Sequence, residues 1–423
     1  MLKHSGKMDT HLKRALVHSY RPLRKTPCFL QRFTRWLLDR TKKLSVIIQF
    51  DDQVTTATAA ALNEHAKSHR LKVTRHHPMI QSVTAKVSIS RLKCLCDSEA
   101  VKGIYLDREV HAVLDSATPS IGSSAAQQSG LTGKGVTIGV IDTGIYPHPD
   151  LTQPRNRIIA FKDFVNNRTE PYDDNGHGTH VAGDAAGNGL KSQGKYRGSA
   201  PEADLVGVKV LNKQGSGQLS SVIAGIEWCV VNCHLFGIRI ISLSLGSTAT
   251  TASKDDPVCQ AVEKAWKAGL VVVVAAGNEG PASGTIASPG ISPSVITVGA
   301  ADDHNTVSQS DDTAANFSSR GPTIEGLTKP DILAPGVAIT SLRSPRSFLD
   351  KSNSGARVGD WYFTLSGTSM ATPIVSGAIA QILEQKPNLT PDQVKALLKE
   401  HAVDLGLDPN TQGSGEVNVN FLQ

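Results

Sequence analysis

The chain of 423 residues is longer than one ordinary domain and predicts two or three folded units. Its composition, 39% hydrophobic and 19% charged, is that of ordinary soluble globular proteins. No apolar run reaches the roughly 18–20 residues of a membrane span. The basic first residues lack the apolar stretch of a secretory signal. We therefore expect no transmembrane segment and a cytoplasmic location.

Positive charge is concentrated at the start of the chain. Residues 1–44 hold 12 Lys and Arg against 2 Asp and Glu, whereas the remainder carries a net charge of −4. A basic arm on a mildly acidic body is not the composition of a nucleic-acid-binding protein. The arm contains an apolar stripe at helical spacing, formed by Phe29, Leu30, Phe33, Trp36 and Leu37. Such a helix can contact an anionic membrane surface, but we favour docking of the stripe on the chain's own body.

Residues 45–115 predict a small α+β unit. The expected strands are 45–50, 71–76, 83–88 and 101–106, and the expected helices are 55–69 and 90–96. This order of elements is the ferredoxin-like pattern. The following residues, 116–130, are rich in Ser, Ala and Gly and predict a linker.

From residue 131 onward, apolar strands alternate with helices. The expected strands are 136–141, 204–211, 238–245, 270–276 and 295–299, and the expected helices are 178–187, 219–233, 257–268, 369–385 and 391–401. These strands are continuous apolar runs, as in a parallel sheet covered on both faces. We predict a doubly wound, mostly parallel α/β domain. The predicted organisation is therefore 1–44, 45–115 and 116–423.

Four polar residues lie where this α/β domain places ligand-binding groups, at strand ends and helix starts. Asp142 follows the first strand, His177 lies between glycines, Ser369 stands at a Gly-to-helix junction and Asn278 follows the strand 270–276. Taken singly, each has an ordinary explanation as a helix cap or turn residue. Their occurrence together on one α/β scaffold is not explained by coincidence and indicates a functional site.

Two metal sites are alternatives in the sequence. His177 and His180 are three residues apart, but the Glu of a His-Glu-x-x-His zinc motif is not present. Cys229 and Cys233 are four apart on a predicted helix, and we favour buried free thiols because no second ligand pair is suitably spaced. The six cysteines also do not form the disulfide framework of a small secreted protein.

Three motifs resemble the signatures of the subtilase family of serine proteases. They are VIDTG at 140–144, HGTHVAG at 177–183 and GTSMATP at 367–373, and the resemblance covers about residues 131–418. The lack of a signal and the basic arm further resemble the AprX-type intracellular subtilases of bacilli. The chain order Asp, His, Ser is also that of subtilisin.

The resemblance implies a role for each of these residues. Ser369 would attack the peptide carbonyl, His177 would act as general base and then acid, and Asp142 would orient the imidazole. The oxyanion would be bound by the Ser369 amide and the Asn278 side chain, with Thr368 assisting. An inactive homologue that acts as a binding module is the alternative, and a missing member of this set would favour it.

Substrate-binding positions also follow from the resemblance. Two segments would hold the substrate as an added β-strand, namely Gly215, Ser216, Gly217 and Ser244, Leu245, Gly246. The pocket for the residue before the cut would be walled by Ala276 and Gly277 beside Asn278. Ala287 would form its floor, where one extra methyl group makes the pocket shallower than with Gly. The Ser288–Pro289 bond is expected to be cis.

The resemblance also implies an inhibitory propeptide and calcium. Residues 45–115 would form the propeptide, with self-cleavage between Leu114 and Asp115. An accessory domain that never leaves is the alternative. Asp150 matches a position that binds structural Ca²⁺ in the family, although Lys191, Lys195 and Arg197 in the partner loop weaken a calcium site.

Overall fold

The computed structural model describes residues 6–8, 10–20, 26, 28–50, 66–67, 71–77, 82–106 and 114–423. The chain divides into two compact units, Met1–Val110 and His111–Gln423. The predicted boundary at 44/45 falls within a strand of the first unit, so the basic arm and the small α+β region share one unit.

The first unit is built on a four-stranded sheet. Its elements are α1 (Thr10–Ser19), α2 (Cys28–Thr41), β1 (Lys43–Phe50), β2 (Val73–His77), β3 (Ser82–Ser88), α3 (Ile89–Cys96) and β4 (Val101–Leu106). The strand order is β2-β3-β1-β4, and all three neighbouring pairs are antiparallel. Leu12 of α1, Ile48 of β1 and Leu92 of α3 are fully buried in one hydrophobic core. The helix predicted at 55–69 falls almost wholly outside the described residues.

Helix α2 packs within the first unit, but not through the predicted apolar stripe. It contacts α3 and β3, and Asp39 bonds to Lys93 of α3 at 2.9 Å and to Tyr20. These bonds leave Phe33, Trp36 and Leu37 facing outward, 60%, 49% and 43% exposed. The first unit itself therefore does not cover these three side chains, and docking of the stripe on the remainder of the chain stays a prediction. Those of Phe29 and Leu30 lie outside the described part of the chain.

The second unit is an α/β domain. Its helices are α4 (Leu114–Ser120), α5 (Ser123–Gln128), α6 (Pro149–Thr152), α7 (His177–Ala186), α8 (Leu219–Phe236), α9 (Pro257–Lys267), α10 (Phe348–Ser352), α11 (Thr368–Gln385), α12 (Pro391–Glu400) and α13 (Pro409–Gln412). Its strands are β5 (Thr137–Asp142), β6 (Ile158–Asp163), β7 (Asp204–Lys209), β8 (Ile238–Leu243), β9 (Val271–Ala275), β10 (Ile296–Asp302), β11 (Thr313–Ala314), β12 (Ile332–Pro335), β13 (Ile339–Leu342), β14 (Arg357–Val358) and β15 (Tyr362–Leu365).

The main sheet has the order β11-β10-β9-β8-β5-β7-β6, with β12 also paired to β10. All its pairs are parallel except β10 with β11. The predicted mostly parallel sheet is therefore confirmed. Strands β5, β8 and β9 are almost wholly buried because helices cover both faces, as their continuous apolar sequences predict. The Ser288–Pro289 bond is cis, as expected.

The segment 116–130 is not a linker, contrary to the prediction. It forms most of α4 and α5, and its small side chains are buried against the domain. Ser116 donates a hydrogen bond to Asp303 at 2.6 Å, and Ser123 donates one to Gln381 at 2.7 Å. A Ser- and Ala-rich sequence suits a loop, but the same small residues also permit close packing when the hydroxyls find partners.

Helix α8 is long and apolar enough to cross a membrane, with a mean hydropathy of 1.4, and it alone meets this test among the described residues. In the structure it packs on β5, β6, β7 and β8 and on helix α9. Val222, Gly225, Ile226 and Cys229 form its buried side. It therefore occupies the place of a covering helix in the α/β domain.

Candidate active site

The direction of strand addition in the main sheet reverses at β5. The chain runs from β5 to β6 and β7 on one side and then continues with β8 and β9 on the other. In open α/β sheets, a crevice for ligands forms at the carboxyl end of the strands at such a point. Asp142 is the last residue of β5, and α7 begins at His177. The strand order thus places the first two predicted residues at the switch point.

Asp142 and His177 are joined directly. The His177 Nδ1 and Asp142 Oδ1 atoms are 2.8 Å apart, and the Asp142 carboxylate is fully buried. Burial disfavours the charged imidazole, but the charge and hydrogen bond of Asp142 outweigh this effect and raise the pKa of His177. An imidazole that takes up a proton at this position is therefore stabilised by the carboxylate behind it.

Gly178 allows the start of α7 to approach β5 this closely. A Cβ atom added to Gly178 would lie 2.2 Å from the Gly144 carbonyl oxygen and 3.1 Å from the Asp142 Cβ atom. No side chain fits at the first of these distances. The glycine after His177 is therefore required for the Asp142–His177 contact.

Asp173 connects the ends of β5 and α7, and the sequence analysis did not identify it. Its carboxylate accepts hydrogen bonds from the Thr143 hydroxyl at 3.0 Å, the Gly176 amide at 2.8 Å and the Thr179 amide at 2.9 Å. Burial raises the pKa of Asp173, and the bonds from Thr179 and Gly176 act against that rise. The signal available in the sequence was the acidic pair 173–174 close before His177.

Lys209 is a second residue that the sequence analysis missed. It ends β7 and is fully buried, and its Nζ atom donates to the carbonyl oxygens of Thr143 at 2.6 Å and Leu211 at 2.8 Å. It also forms an ion pair with Asp174 at 2.8 Å. A lysine directly after the apolar run 205–208 was the signal in this case.

Ser369 lies in the first turn of α11, and its hydroxyl is turned toward β8. The Ser369 Oγ atom donates to the Ser244 carbonyl oxygen at 3.1 Å, and the Ser244 hydroxyl donates to the Ser369 carbonyl at 2.8 Å. Among the described hydrogen bonds, none joins Ser369 to His177. Transfer of the hydroxyl proton to the imidazole would therefore require Ser369 to leave its bond to the Ser244 carbonyl.

Asn278 is held by Thr368. The Asn278 Oδ1 atom accepts hydrogen bonds from the Thr368 amide at 3.0 Å and the Thr368 hydroxyl at 3.1 Å. With its oxygen occupied, the amide directs its NH₂ group away as a donor. Thr368 is fully buried, and its two bonds orient the Asn278 side chain.

Two neighbouring cavities contain nearly all the predicted substrate-binding residues. The first, of about 500 Å³, is lined by both segments, Gly215–Ser216–Gly217 and Ser244–Leu245–Gly246, together with His177. The second, of about 530 Å³, is lined by Ser369, Thr368, Asn278, Gly277 and Ala287. The nucleophile candidate and the amide donor thus share the second cavity, and the imidazole lies in the first.

Ala287 narrows the second cavity. A Cβ atom added to Gly277 or to Gly246 would lie 3.1 Å from the Ala287 Cβ atom, so the methyl group lies between the two glycine edges. Ala276, predicted as a wall, is fully buried and does not line the cavity. It packs with Cys259, Ile286 and Ile291 behind the surface. Its two neighbours, Ala275 and Gly277, line the cavity instead.

His180 does not share a metal site with His177. Its Nδ1 atom is 2.9 Å from Asp184, and its Nε2 atom lies 3.0 Å from the Phe363 carbonyl and 3.1 Å from the Ile339 carbonyl. Both ring nitrogens are therefore engaged with protein acceptors.

Cys229 is fully buried, and burial raises the pKa of its thiol to about 12.

Asp150 does not offer the open set of oxygens that Ca²⁺ requires. Its carboxylate is fully buried and accepts hydrogen bonds from the Lys191 amide at 3.0 Å and the Tyr362 hydroxyl at 2.7 Å. The Lys191 Nζ atom lies 4.8 Å from the centre of the Trp361 ring. Within the described ranges, no group of three or more His, Cys, Asp or Glu residues is able to hold a metal. The residues around Asp150 therefore do not fit calcium.

Leu114 and Asp115 are the first two residues of α4. Their peptide bond lies in a helical turn, whereas the prediction had an extended strand leading to it. A protease binds its substrate as an extended strand, so cleavage at this bond requires the first turn of α4 to unwind. The preceding segment 107–113 and the side chains of both residues lie outside the described part of the chain.

Comparison with known proteins agrees with this arrangement. Residues 133–418 match the model of the subtilase family, Peptidase S8. The chain is 52% identical over 424 residues to the serine protease AprX of Bacillus subtilis, covering 98% of this chain and 95% of that protein. It is 39% identical over 305 residues to subtilisin DY of Bacillus licheniformis, covering 71% of this chain and 95% of the relative.

A solved structure also resembles this chain. Sphericase matches it with a TM-score of 0.56 and 35% sequence identity, over 68% of this chain and 92% of that one. The family match covers more than half of the chain and includes all the motifs at Asp142, His177 and Ser369. The chain therefore belongs to the subtilase family of subtilisin-like serine endopeptidases.

Proposed function

We propose that the chain hydrolyses peptide bonds of polypeptides through a Ser369–His177–Asp142 triad and an acyl-enzyme. The observation that carries the proposal is the 2.8 Å contact between His177 Nδ1 and the buried Asp142 carboxylate. It leaves Nε2 of the same ring to accept a proton. Ser369, released from its bond to the Ser244 carbonyl, delivers that proton as its Oγ atom attacks the substrate carbonyl.

The tetrahedral intermediate would be stabilised by two donors. The Ser369 amide lies in the first turn of α11, where amide groups have no partner within the helix. The Asn278 NH₂ group is free to donate because Thr368 occupies the amide oxygen. Donors fixed before the reaction stabilise developing charge without reorganisation. Thr368 therefore contributes as a positioning residue.

The peptide substrate would bind as an extended strand between 215–217 and 244–246, with the residue before the cut in the cavity of Ala287. The two cavities flank the Ser369 and His177 positions, which supports this path. All four residues expected of an active enzyme are present. Nothing in the site therefore favours the alternative of an inactive homologue.

We also propose that the chain is a self-processing precursor whose first unit is a ferredoxin-like propeptide and inhibitor. The antiparallel order β2-β3-β1-β4, with α3 between β3 and β4, supports the ferredoxin-like part. A tethered propeptide presents its own cleavage segment at high effective concentration. Cleavage between Leu114 and Asp115 would then be intramolecular and would include unwinding of the first turn of α4.

The test compares wild type with Ser369→Ala, Asn278→Ala and the control Ser366→Ala on a peptide substrate. In subtilisin, loss of the serine lowers turnover about 10⁶-fold and loss of the oxyanion Asn lowers it about 10²–10³-fold. We expect the same ranking here. Ser366 lies three residues before Ser369, and its hydroxyl accepts a hydrogen bond from the Ala338 amide. Because this hydroxyl is bonded away from the triad, Ser366→Ala should keep a rate near wild type. Wild-type activity in Ser369→Ala would refute the triad.

N-terminal sequencing of purified wild type and Ser369→Ala tests self-processing. We expect a new N-terminus at Asp115 only in the wild-type protein, formed at a rate independent of protein concentration. A mature chain that starts elsewhere would reject the Leu114–Asp115 bond. An active enzyme that remains uncut would reject the precursor.

A further inference from the structure

The segment between β13 and β15 lies against the residues that precede His177. Three successive carbonyl oxygens of that stretch accept hydrogen bonds from it. Asp173 accepts from the Ser344 hydroxyl at 2.7 Å, Asp174 from the Phe348 amide at 2.8 Å and Asn175 from the Leu349 amide at 2.9 Å. The start of α10 is thereby fixed beside the catalytic histidine.

Gly176 permits this close contact. It has a φ of +107°, a conformation that favours glycine, and a Cβ atom added there would lie 2.7 Å from the Ser347 Oγ atom. Ser347 also caps α10 by accepting a hydrogen bond from the Asp350 amide at 3.3 Å. The start of α10 and the turn before His177 therefore fit together only with glycine at position 176.

Asp350 links distant parts of the segment through its carboxylate. Its buried carboxylate accepts hydrogen bonds from Arg343 Nε and Arg357 Nε, both at 2.6 Å, and from the Arg346 amide at 2.8 Å. Burial opposes the charged form, but these bonds lower the pKa of Asp350 to about 2. Charge-assisted bonds to one buried carboxylate hold α10 as a fixed part of the site.

The half-buried side chain of Leu349 lines the first cavity. Leu211, Asn175 and His177 line the same cavity, and Leu349 lies next to the last two along the fold, because its Cβ atom would be 3.7 Å from a Cβ atom added to Gly176. The Asn175 side chain also donates to the Lys213 carbonyl at 2.9 Å and so bridges the two sides of the cleft. Leu349 and Leu211 thus add apolar surface to the cavity that the imidazole lines.

Successive side chains of an extended peptide point to opposite faces. If the residue before the cut occupies the cavity of Ala287, the second residue before the cut points the other way, toward the cavity of His177. His177 acts at the scissile bond, so the residues packed beside it receive the nearest side chain on that face. That side chain would meet Leu211 and Leu349.

We propose that Leu349 is a specificity-determining residue that favours an apolar side chain at the second residue before the scissile bond. This inference rests on the proposed function. Leu211 belongs to a segment next to the main sheet, whereas Leu349 is brought to the cleft by the separate segment between β13 and β15. The preference would therefore depend on a loop outside the sheet that carries the catalytic groups.

The experiment measures kcat/KM for a peptide series that carries Leu, Ala, Asp or Lys at the second position before the cut. Loss of one apolar contact in a substrate pocket changes discrimination by about 10-fold or more. We expect Leu349→Ala to reduce the preference for Leu over Asp about 10-fold. We expect Leu349→Lys to reverse its sign in favour of Asp, because the ammonium group attracts the carboxylate. A second series, varied only at the residue before the cut, should not change its order.

The matched control is Phe348→Ala, since Phe348 is adjacent on α10 but does not line the cavity. It should retain the wild-type preference, and thermal unfolding of all variants checks that they are folded. An unchanged preference in both Leu349 variants would overturn the inference while leaving the proposed function intact. An equal loss for all four peptides would also overturn it, by giving Leu349 a general packing role. A wild-type protein that cuts none of the peptides would reject the proposed function as well.

Discussion

The Tyr362 hydroxyl donates a 2.7 Å hydrogen bond to the Asp150 carboxylate, although the two residues are 212 positions apart in the chain. Burial raises the pKa of Tyr362, which therefore remains a donor at neutral and alkaline pH. The sequence motif at Asp150 implied a calcium ligand, whereas the structure gives this carboxylate two protein donors. The tyrosine and the Lys191 amide occupy the oxygens that a calcium ion would use.

Tyr362→Phe should destabilise the enzyme, and calcium should not reverse the effect. Removing the hydroxyl deprives one buried carboxylate oxygen of its donor, which costs about 1–3 kcal/mol. The measurement is the free energy of unfolding in excess calcium and in a chelator. Tyr196→Phe is the control, because its ring packs on Tyr362 at a centroid distance of 4.8 Å without a described bond to Asp150. Recovery of Tyr362→Phe by calcium would contradict the conclusion that this site does not fit the ion.

Ala287→Gly should widen the preference for the residue before the cut. The Ala287 methyl group lies between Gly246 and Gly277, and its removal deepens the cavity between them. We expect kcat/KM for Phe relative to Leu at that position to rise about 10-fold, and Ala287→Val to lower it. The series varied at the second position before the cut is the control and should keep its order. No change in the Phe-to-Leu ratio would reject Ala287 as the floor of this pocket.

Glu416→Gln should stabilise the protein at neutral and alkaline pH. The Glu416 and Asp312 carboxylates are buried, and none of their four oxygens has a hydrogen-bond donor in good geometry among the described residues, although the nearby Gln309 side chain favours the charged form of Glu416. Burial, together with Asp312 and Asp303, raises the pKa of Glu416 well above its usual range, and Asp311 and His304 also act on the charge of Asp312. Because the pKa of Glu416 is higher in the folded than in the unfolded state, the free energy of unfolding of the wild-type protein decreases as pH rises above the unfolded-state pKa.

The free energy of unfolding of wild type and Glu416→Gln is therefore measured from about pH 4 to about pH 9. This range starts near the ordinary pKa of a glutamate, roughly 4, and extends upward to include the raised pKa of Glu416. The two proteins should be similar at the acidic end, and the variant should be progressively more stable toward the alkaline end. A parallel pH profile for both proteins would show that Glu416 ionises without cost.

The sequence predicted the parts of the site that depend on local pattern. Asp142 follows an apolar run and closes β5, and His177 and Ser369 lie in the first turns of α7 and α11 as the Gly-rich motifs indicate. Thr390 forms a capping box with Gln393, and α12 starts at residue 391, the first residue of the predicted helix 391–401. Each of these features is encoded within a few neighbouring residues. Their positions could therefore be predicted without knowledge of the fold.

Contacts between distant segments could not be predicted in the same way. The partners of Asp150 come from residues 191 and 362, and Leu349 reaches the cleft only because backbone groups near 348 bond to the 173–175 stretch. The prediction for residues 116–130 was wrong for the same reason. Their small side chains indicated a linker, and only the acceptors at Asp303 and Gln381 make their burial favourable. Sequence pattern does not specify where such partners lie.

The segment that carries Leu349 is attached to the histidine loop largely through main-chain atoms, which every residue type other than proline supplies. The side chain at position 349 can therefore be exchanged while the attachment and the Asp350 arginine bonds remain. If Leu349 sets the preference as proposed, selectivity and chemical competence would be separable properties in this enzyme. A library randomised at that single codon would sample new substrate preferences on an unchanged catalytic apparatus.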